Sequence, residues 1–301
     1  MSRVWVLGAG ASRGYWKSRR SVHPPLATDY FSTFQKLLIS GDFEVKVGFI
    51  VNYIRDTRGI PPERQGSEFN ENIETVFAEL DRSLRKAFDT SLEGRDGIVQ
   101  AFNFTKAYDQ FVFWFAHVLN EIQNGDSCPI YSSLVSQCSE EDTLITFNWD
   151  TILDRSLDAS GEWHPDDGYG VAFDGILDGG WRAPLDHRSK LKLLKLHGST
   201  NWFGPYVTRN LQTGERQWAT VADAAYKTWC LRDGSSWFSS YKNRWRPGYE
   251  PYSYFFPPND PVADLPLMPV LIPPTETKLF NEHGAVLGPA WTAARETRII
   301  Q

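Results

Sequence analysis

Four short apolar-rich runs interrupt the chain, and their shortness restricts the fold more than any other feature. They occupy residues 3–7, Thr143 to Phe147, Leu191 to Leu196 and Met268 to Ile272, and each stops abruptly at glycine, asparagine, histidine or proline. Such runs, about 4–8 residues long, are typical of strands that are buried on both faces of a sheet. Because helical stretches separate them, the pattern predicts an α/β fold with a Rossmann-like, mostly parallel sheet.

The segments between the runs predict two insertions into this core. Residues 68–124 carry apolar side chains at helical spacing, as in Ile73, Val76 and Phe77. Residues 205–261 are rich in aromatic residues, Ser, Gly and Pro and have no helical period, which favours loops and hairpins. We therefore expect a single domain over 1–301, divided into a core of 1–27, 143–204 and 262–301, a helical insertion at 28–142 and an aromatic-rich insertion at 205–261.

Charge and cysteine content exclude several classes of protein. The 301 residues include 37 acidic and 31 basic side chains, a formal charge of -6, which argues against direct nucleic-acid binding. Three isolated cysteines, Cys128, Cys138 and Cys230, do not form a disulfide framework. The longest apolar run, Phe111 to Leu119, is about half of the roughly 20 residues that a membrane span requires. We expect a cytoplasmic protein without membrane association.

The first apolar run leads directly into Gly8-Ala9-Gly10-Ala11-Ser12. Glycines let the backbone turn tightly and approach a phosphate group. The loop does not fit G-x-G-x-x-G, because the next glycine is Gly14, and a plain strand-to-helix turn accounts for it equally well. The overlapping G-x-S-x-G of residues 10–14 is typical of hydrolases, but only one strand precedes Ser12, which excludes that topology.

Polar residues also follow the second and third runs. Asn148 and Asp150 come directly after Phe147, and His197 follows Leu196. The carboxyl ends of parallel strands meet at one edge of a sheet, where ligands bind. Either Asn148 or Asp150 can equally cap the helix that follows, and a lone histidine is more often structural than catalytic. Taken one at a time, these residues therefore leave the structural alternative open.

Together the three strand ends resemble the sirtuin-like family, in which Gly-Ala-Gly-x-Ser, Phe-Asn-x-Asp and Leu-His-Gly-Ser occur in this order. The match is to the bacterial branch of NAD-cleaving effectors in antiphage defence. The resemblance runs from residue 3 to about residue 291, and therefore covers nearly the whole chain. Further similar segments are Pro24-Pro25-Leu26, Asp29-Tyr30-Phe31, Asn72-Ile73-Glu74 and Ile272-Pro273-Pro274-Thr275 with Lys278.

This resemblance implies that NAD+ is the substrate and that it lies across the carboxyl edge of a sirtuin-type sheet. By the matching motif, Gly8, Ala9, Gly10 and Ser12 would hold its phosphates. The implied reaction is hydrolysis of NAD+ to nicotinamide and ADP-ribose. Nicotinamide departs as a neutral molecule, so the site needs no general acid but must stabilise an oxocarbenium-like ribose and orient water.

The other two motifs supply the remaining implied roles. Asn148 and His197 are the expected catalytic residues, with Asn148 at the ribose and a water and with His197 as the general base. Asp150 is expected to contact the same ribose, and Gly198 and Ser199 are expected to complete the nucleotide site. All of these roles come from the resemblance.

The sequence differs from the deacylase sirtuins in its cysteines, and this difference bears on the alternative functions. Those enzymes hold zinc on paired Cys-x-x-Cys motifs, and three isolated cysteines cannot form a four-thiolate site. We therefore predict no zinc module and no metal, and we interpret His164, Asp166 and Asp167 as a solvated acidic turn. An NAD-dependent protein deacylase stays open as a less favoured alternative. The second alternative is that the protein is a non-catalytic nucleotide-binding subunit of a defence assembly.

The resemblance also implies partners. We expect a homo-oligomer or a complex with another defence protein, such as a ring-forming ATPase. In the family the chain usually continues past a Trp-containing helix into a strand and a glycine turn over the nucleotide. No such turn follows Trp291 here, so we expect weak activity of the chain alone and full activity in an assembly.

Overall fold

The computed structural model describes residues 2–18, 21–39, 48–91, 94–123, 125–177, 181–205, 207–209, 216–218, 227–229, 267–272 and 284–297. The strands are β1 (Val4–Leu7), β2 (Thr143–Thr146), β3 (Gly175–Leu177), β4 (Trp181–Arg182), β5 (Lys192–Lys195), β6 (Gly198–Pro205), β7 (Val207–Arg209), β8 (Arg216–Trp218), β9 (Lys227–Trp229) and β10 (Leu267–Leu271). The helices are α1 (Ala9–Arg13), α2 (Tyr30–Ile39), α3 (Gly48–Arg58), α4 (Pro62–Glu68), α5 (Ile73–Ser91), α6 (Arg95–Gln123), α7 (Pro129–Val135), α8 (Ile152–Ser160) and α9 (Gly284–Glu296).

A three-stranded parallel sheet has the order β1-β2-β5 and confirms three of the predicted strands. Leu7 lies opposite Thr146, and Thr146 lies opposite Lys195, so the three strands end level with one another. The side chains of Leu144, Leu193 and Leu194 are almost wholly buried, as predicted for β2 and β5. The predicted burial of β1 is wrong: its residues are half-buried or exposed, because β1 is an edge strand of this sheet. The chain that leaves each strand therefore emerges at the same edge of the sheet.

The predicted helical block is mostly helical in its described residues, and its longest helix, α6, contacts β6 and β10. α5 and α6 form its centre, where Phe77 and Phe111 meet with ring centroids 4.9 Å apart. Phe115 of α6 reaches Trp149 beyond the end of β2, with ring centroids 4.8 Å apart. Among the described residues, no helix combines the length and the apolar character needed to cross a lipid bilayer.

A second sheet corrects the expectation of one mostly parallel sheet. Its order is β10-β6-β9-β3-β4, and β10, which contains most of the fourth predicted strand, pairs antiparallel with β6. β6 begins at Gly198, immediately after the turn that ends β5, where the sequence analysis predicted no strand. Gly198 has a φ of +81°, which lets the chain reverse sharply there. A short apolar run predicts a strand but does not tell which sheet the strand joins. For that reason the run at Met268 to Ile272 was wrongly assigned to the parallel sheet.

Little of the predicted aromatic-rich insertion lies within the described residues. β7 and β8 form an antiparallel pair in it, and β9 joins the second sheet between β6 and β3. The remainder of 205–261 lies outside the described residues. The same holds for residues 273–278 and for residues 298–301, which the sequence analysis used for the resemblance and for the expected assembly.

Candidate functional site

A cavity of about 230 Å³ opens at the carboxyl edge of the parallel sheet. Five residues with predicted roles line it, so the structure brings the three strand-end motifs together, as parallel strands require. Apolar side chains from α2, α5 and α6 form much of the opposite wall. The lining residues are Ala9, Ser12, Pro24, Pro25, Leu26, Ala27, Tyr30, Ile73, Glu74, Phe115, Leu119, Phe147, Asn148, Trp149, Asp150 and His197.

Hydrogen bonds determine the orientation of the Asn148 side chain. Its Nδ2 donates to the carbonyl oxygen of Gly8 at 3.0 Å and to Ser12 Oγ at 2.9 Å. A backbone carbonyl can only accept, so the NH2 group must face Gly8. Asn148 N also donates to Thr146 Oγ1 at 3.1 Å, which holds the backbone. The amide oxygen Oδ1 is therefore the atom that Asn148 can offer to a ligand.

Ser12 is held in turn by a residue that the sequence analysis missed. Its hydroxyl lies 2.9 Å from the hydroxyl of Tyr131 on α7, and both side chains are buried. Burial raises the pKa of Tyr131 well above its usual range, so the phenol stays neutral. Residues 12 and 131 are far apart in the chain, and no local pattern relates them. The Tyr131 hydroxyl completes a hydrogen-bonded row that runs through Ser12 to Asn148.

The glycine loop is exposed, and one of its residues, Ala9, lines the cavity. Gly8 precedes α1, and Gly8, Ala9 and Gly10 are all exposed. A Cβ atom placed on Gly8 or Gly10 would meet no described atom within 4 Å. Both glycines have ordinary backbone dihedrals for any residue, since neither has a positive φ. Packing within the protein therefore does not require glycine here, whereas the close approach of a ligand would.

Asp150 has a structural role in addition to its place in the cavity wall. Its Oδ1 accepts a hydrogen bond from the backbone N–H of Ile152 at 3.1 Å, which caps the start of α8. This is the alternative that the sequence analysis left open. Burial raises the pKa of Asp150, while the ammonium group of Lys195 and a hydrogen bond from Ser12 oppose the rise. The residue thus joins the glycine loop to α8.

His197 lies between two aromatic rings at the end of β5. Its ring centroid is 5.1 Å from that of Phe147 and 6.0 Å from that of Trp149, and the residue is 9% exposed. Its carbonyl oxygen accepts hydrogen bonds from Trp149 Nε1 and from Ile272 N, each at 2.9 Å. Both contacts hold the backbone carbonyl of His197, and the neighbouring aromatic rings flank its imidazole in the cavity wall.

The two residues that follow His197 make structural contacts. The Ser199 hydroxyl donates to the carbonyl oxygen of Trp149 at 3.3 Å, and Ser199 is wholly buried. A Cβ atom on Gly198 would lie 2.0 Å from the carbonyl oxygen of Val270. The described lining of the cavity does not include Gly198 or Ser199, so a nucleotide role for these two residues stays a prediction.

A buried ion pair lies beneath the cavity. Lys195 Nζ lies 3.1 Å from Asp154 Oδ2, and neither side chain is exposed. The same ammonium group also donates to the carbonyl oxygen of Asp150, and Tyr169 donates to Asp154. Lys195 therefore connects the end of β5, which carries His197, to the loop that carries Asn148. A lysine inside an apolar run was the available signal for this pair.

The wall opposite the sheet is anchored by another ion pair. Arg13 of α1 bonds to Asp29 at 2.6 Å and to the carbonyl oxygen of Pro24 at 2.9 Å, which holds the segment before α2. The exposed carboxylate of Glu74 stands at the rim, and Asn72 caps its helix by accepting from Glu74 N at 2.8 Å. Both segments belong to motifs noted in the resemblance, although no role was predicted for Glu74.

Comparisons with known proteins add no assignment to this geometry. No family model matches the chain, and no curated protein matches its sequence. The features that bear on function are therefore the cavity, the orientation of its polar groups and the order of the three motifs.

Proposed function

We propose that this protein hydrolyses the N-glycosidic bond of NAD+ and releases nicotinamide and ADP-ribose. The observation that carries the proposal is the orientation of Asn148. Its NH2 group is bound by Gly8 and Ser12, so its carbonyl oxygen is available at the end of β2, in the same cavity wall as His197. An amide oxygen and an imidazole are sufficient to stabilise a ribose cation and to orient and deprotonate an attacking water.

The cavity is too small to enclose a whole dinucleotide, so in this proposal NAD+ is only partly enclosed. Pockets that enclose a drug-sized ligand typically measure about 300–1,000 Å³, which is more than the cavity of about 230 Å³ found here. The cavity is suited to one ring with its ribose. The phosphates would lie along Gly8 and Gly10, where the backbone is exposed and a ligand can approach closely.

The chemistry follows from what these side chains can do. Asn148 Oδ1 can accept a hydrogen bond from a ribose hydroxyl or a water, and it places a partial negative charge beside a developing ribose cation. His197 can accept a proton from the attacking water. The apolar side chains of Phe147, Trp149 and Phe115 line the same cavity, and the lower local polarity that they provide would strengthen both interactions.

The proposal includes a sirtuin-type arrangement of the fold and a role as an NAD-depleting effector in antiphage defence. The parallel sheet, with its three motifs at one edge, is consistent with that arrangement. The defence role and the partner, either a homo-oligomer or a complex with a protein such as a ring-forming ATPase, follow from the resemblance in the sequence. They are tested separately from the reaction.

The reaction is tested by measuring nicotinamide release from NAD+ without any acylated peptide. We expect the substitutions Asn148→Ala and His197→Ala each to lower the rate by about 10²–10⁴-fold. Asn52→Ala, at an exposed position on α3, is the matched control and should retain the wild-type rate. If either site variant keeps the wild-type rate while folded, the role assigned to that residue is wrong.

A second candidate function is nucleotide binding without turnover. The burial of His197 between Phe147 and Trp149 favours it, because a packed imidazole is less accessible to water. Tight ADP-ribose binding without nicotinamide release, in every assembly state, would support this candidate. Nicotinamide release that requires an acylated lysine peptide would instead support the deacylase alternative.

A further inference from the structure

A second cluster of polar side chains lies where the turn at 163–168 faces the segment 183–189. Asp166 Oδ2 is 3.2 Å from His164 Nδ1 and 3.7 Å from His187 Nε2. The sequence analysis interpreted this turn as solvated and acidic, and the structure corrects that interpretation. The Asp166 side chain is wholly buried, while those of His164 and His187 are 21% and 32% exposed. One buried carboxylate and two accessible imidazoles therefore converge.

The separations of these atoms match those found around a transition metal. Zinc binds histidine nitrogen and carboxylate oxygen at about 2.0–2.2 Å, so neighbouring ligand atoms in a tetrahedral site lie roughly 3.3–3.5 Å apart. The separations of 3.2 Å and 3.7 Å are close to this value. The three ligand atoms all lie within 4.8 Å of one another. Small side-chain shifts would bring them into coordination distance.

Neighbouring groups already hold these side chains in place. Arg182 binds both oxygens of Asp166, and Leu185 N donates to Oδ1 at 2.8 Å. Asp158 Oδ1 lies 4.0 Å from His164 Nε2, the ring nitrogen on the other side from Asp166. Metal-bound histidines usually donate their second N–H to a carboxylate, a backbone carbonyl or a water, which orients the ring, and Asp158 is the carboxylate nearest to that nitrogen. This arrangement is independent of the three ligand atoms themselves.

The local charge also favours a divalent cation. Asp158, Asp166 and Asp167 contribute three carboxylates and Arg182 one guanidinium, which leaves two negative charges when the histidines are neutral. Asp167 binds the hydroxyl of Ser189, and that hydroxyl accepts from His164 N at 2.9 Å.

We propose that His164, Asp166 and His187 bind a divalent first-row transition metal of the zinc class, with water completing the coordination. The two imidazole rings stack 3.6 Å apart at an interplanar angle of 11°. Coordination requires the more exposed ring, that of His187, to turn so that its Nε2 lone pair points at the shared position. The ion would tie the segment 183–189 to the turn at 163–168. This site does not depend on NAD+ cleavage.

The test is a titration of the full chain with Co2+, after treatment with a chelator and desalting. We expect visible d–d absorption that saturates at one equivalent at micromolar concentrations and that Zn2+ abolishes by displacement. His187→Ala should lose this stoichiometric binding. Asp186→Asn, an exposed charge change next to the ligand, is the matched control and should bind as the wild type does. Asp158→Asn should bind about tenfold more weakly.

Far-UV circular dichroism establishes that each variant is folded, and His187→Gln replaces His187→Ala if the latter unfolds. The proposal is overturned if the wild type binds no stoichiometric Co2+. It is also overturned if binding by the folded His187 variant equals that of the wild type, because the ion would then be held elsewhere.

Discussion

At the scale of single residues, the orientation of Asn148 determines which substitution is most informative. Asn148→Asp replaces the NH2 group with a carboxylate oxygen, which would face the carbonyl oxygen of Gly8 instead of donating to it. We expect nicotinamide release to fall by at least about 100-fold and the free energy of unfolding to fall by about 1–3 kcal/mol. Ser12→Ala removes one of the two acceptors of the Asn148 NH2 group and leaves the bond to Gly8, so its effect on the rate should be smaller. A wild-type rate in Asn148→Asp would disprove the proposed orientation of the amide.

Two glycines of the strand-end motifs should respond in opposite ways to alanine. A Cβ atom on Gly10 meets open space within α1, so Gly10→Ala should keep or slightly raise the free energy of unfolding while it weakens nucleotide binding. Gly198 combines a φ of +81° with the close carbonyl of Val270, so Gly198→Ala should lose about 1–3 kcal/mol or more. Urea unfolding and calorimetric titration with ADP-ribose measure the two effects. If Gly10→Ala binds ADP-ribose with unchanged affinity, the glycine loop is not part of the nucleotide site.

The sequence could predict the meeting of Ser12, Asn148 and His197, because parallel strands end at one edge and each motif follows a strand. It could not predict Tyr131 or the Asp154–Lys195 pair, since those contacts depend on how α7 and α8 pack against the sheet. The sequence also could not show why residue 198 is a glycine, because a glycine there is consistent both with the close approach of a ligand and with a sharp reversal of the chain. The positive φ supports the second explanation.

At the scale of elements, one buried carboxylate joins the starts of β1 and β2. Asp142 accepts from Arg3 N at 2.7 Å, from Ser139 N at 3.0 Å and from the Arg3 guanidinium. Burial alone would raise its pKa, but these donors hold the pKa of Asp142 well below its usual range. The ionised form is therefore the one that the fold stabilises.

A group with a lowered pKa stabilises the fold above its unfolded pKa, about 3.9, and this contribution is lost as the pH falls further. We expect Asp142→Asn to lower the free energy of unfolding by about 2 kcal/mol at pH 7 and by clearly less at pH 3. Urea unfolding at both pH values measures the difference. Asp56→Asn, at an exposed pair with Arg55, should show almost no effect at either pH. An equal loss at both pH values would contradict the assigned role of the charge.

The elements also differ in how far the sequence could predict them. β1, β2 and β5 are short apolar-rich runs, and their prediction as strands was correct, although β1 is only partly buried and Val6 is 61% exposed. β6 begins with Gly198-Ser199-Thr200-Asn201, a composition typical of turns. All four residues nevertheless belong to the strand and are buried, and the first two pair with β10. Burial by a partner strand outweighs local preference there. Local composition contains no information about which strand will be adjacent.

At the scale of the whole molecule, polar contacts as well as packing join the helical insertion to β6 of the second sheet and to α8. Gln123 ends α6 and is 1% exposed. Its Oε1 accepts from Thr151 N at 2.8 Å, and its Nε2 donates to Thr200 Oγ1 at 3.3 Å. Arg155 of α8 donates to the carbonyl oxygen of the same residue at 2.6 Å. One side chain therefore links α6, the start of α8 and β6.

If these contacts make the chain one cooperative unit, weakening them should weaken the helices and the sheet together. Gln123→Ala leaves the buried N–H of Thr151 without its acceptor, which costs about 1–3 kcal/mol. We expect the slowest-exchanging amides of α6 and of β2 to lose the same amount of protection in native-state hydrogen exchange, because both exchange by global unfolding. Gln100→Ala, at an exposed position on the same helix, should leave both unchanged. Loss of protection in α6 alone would instead show that the helical insertion unfolds as a separate unit.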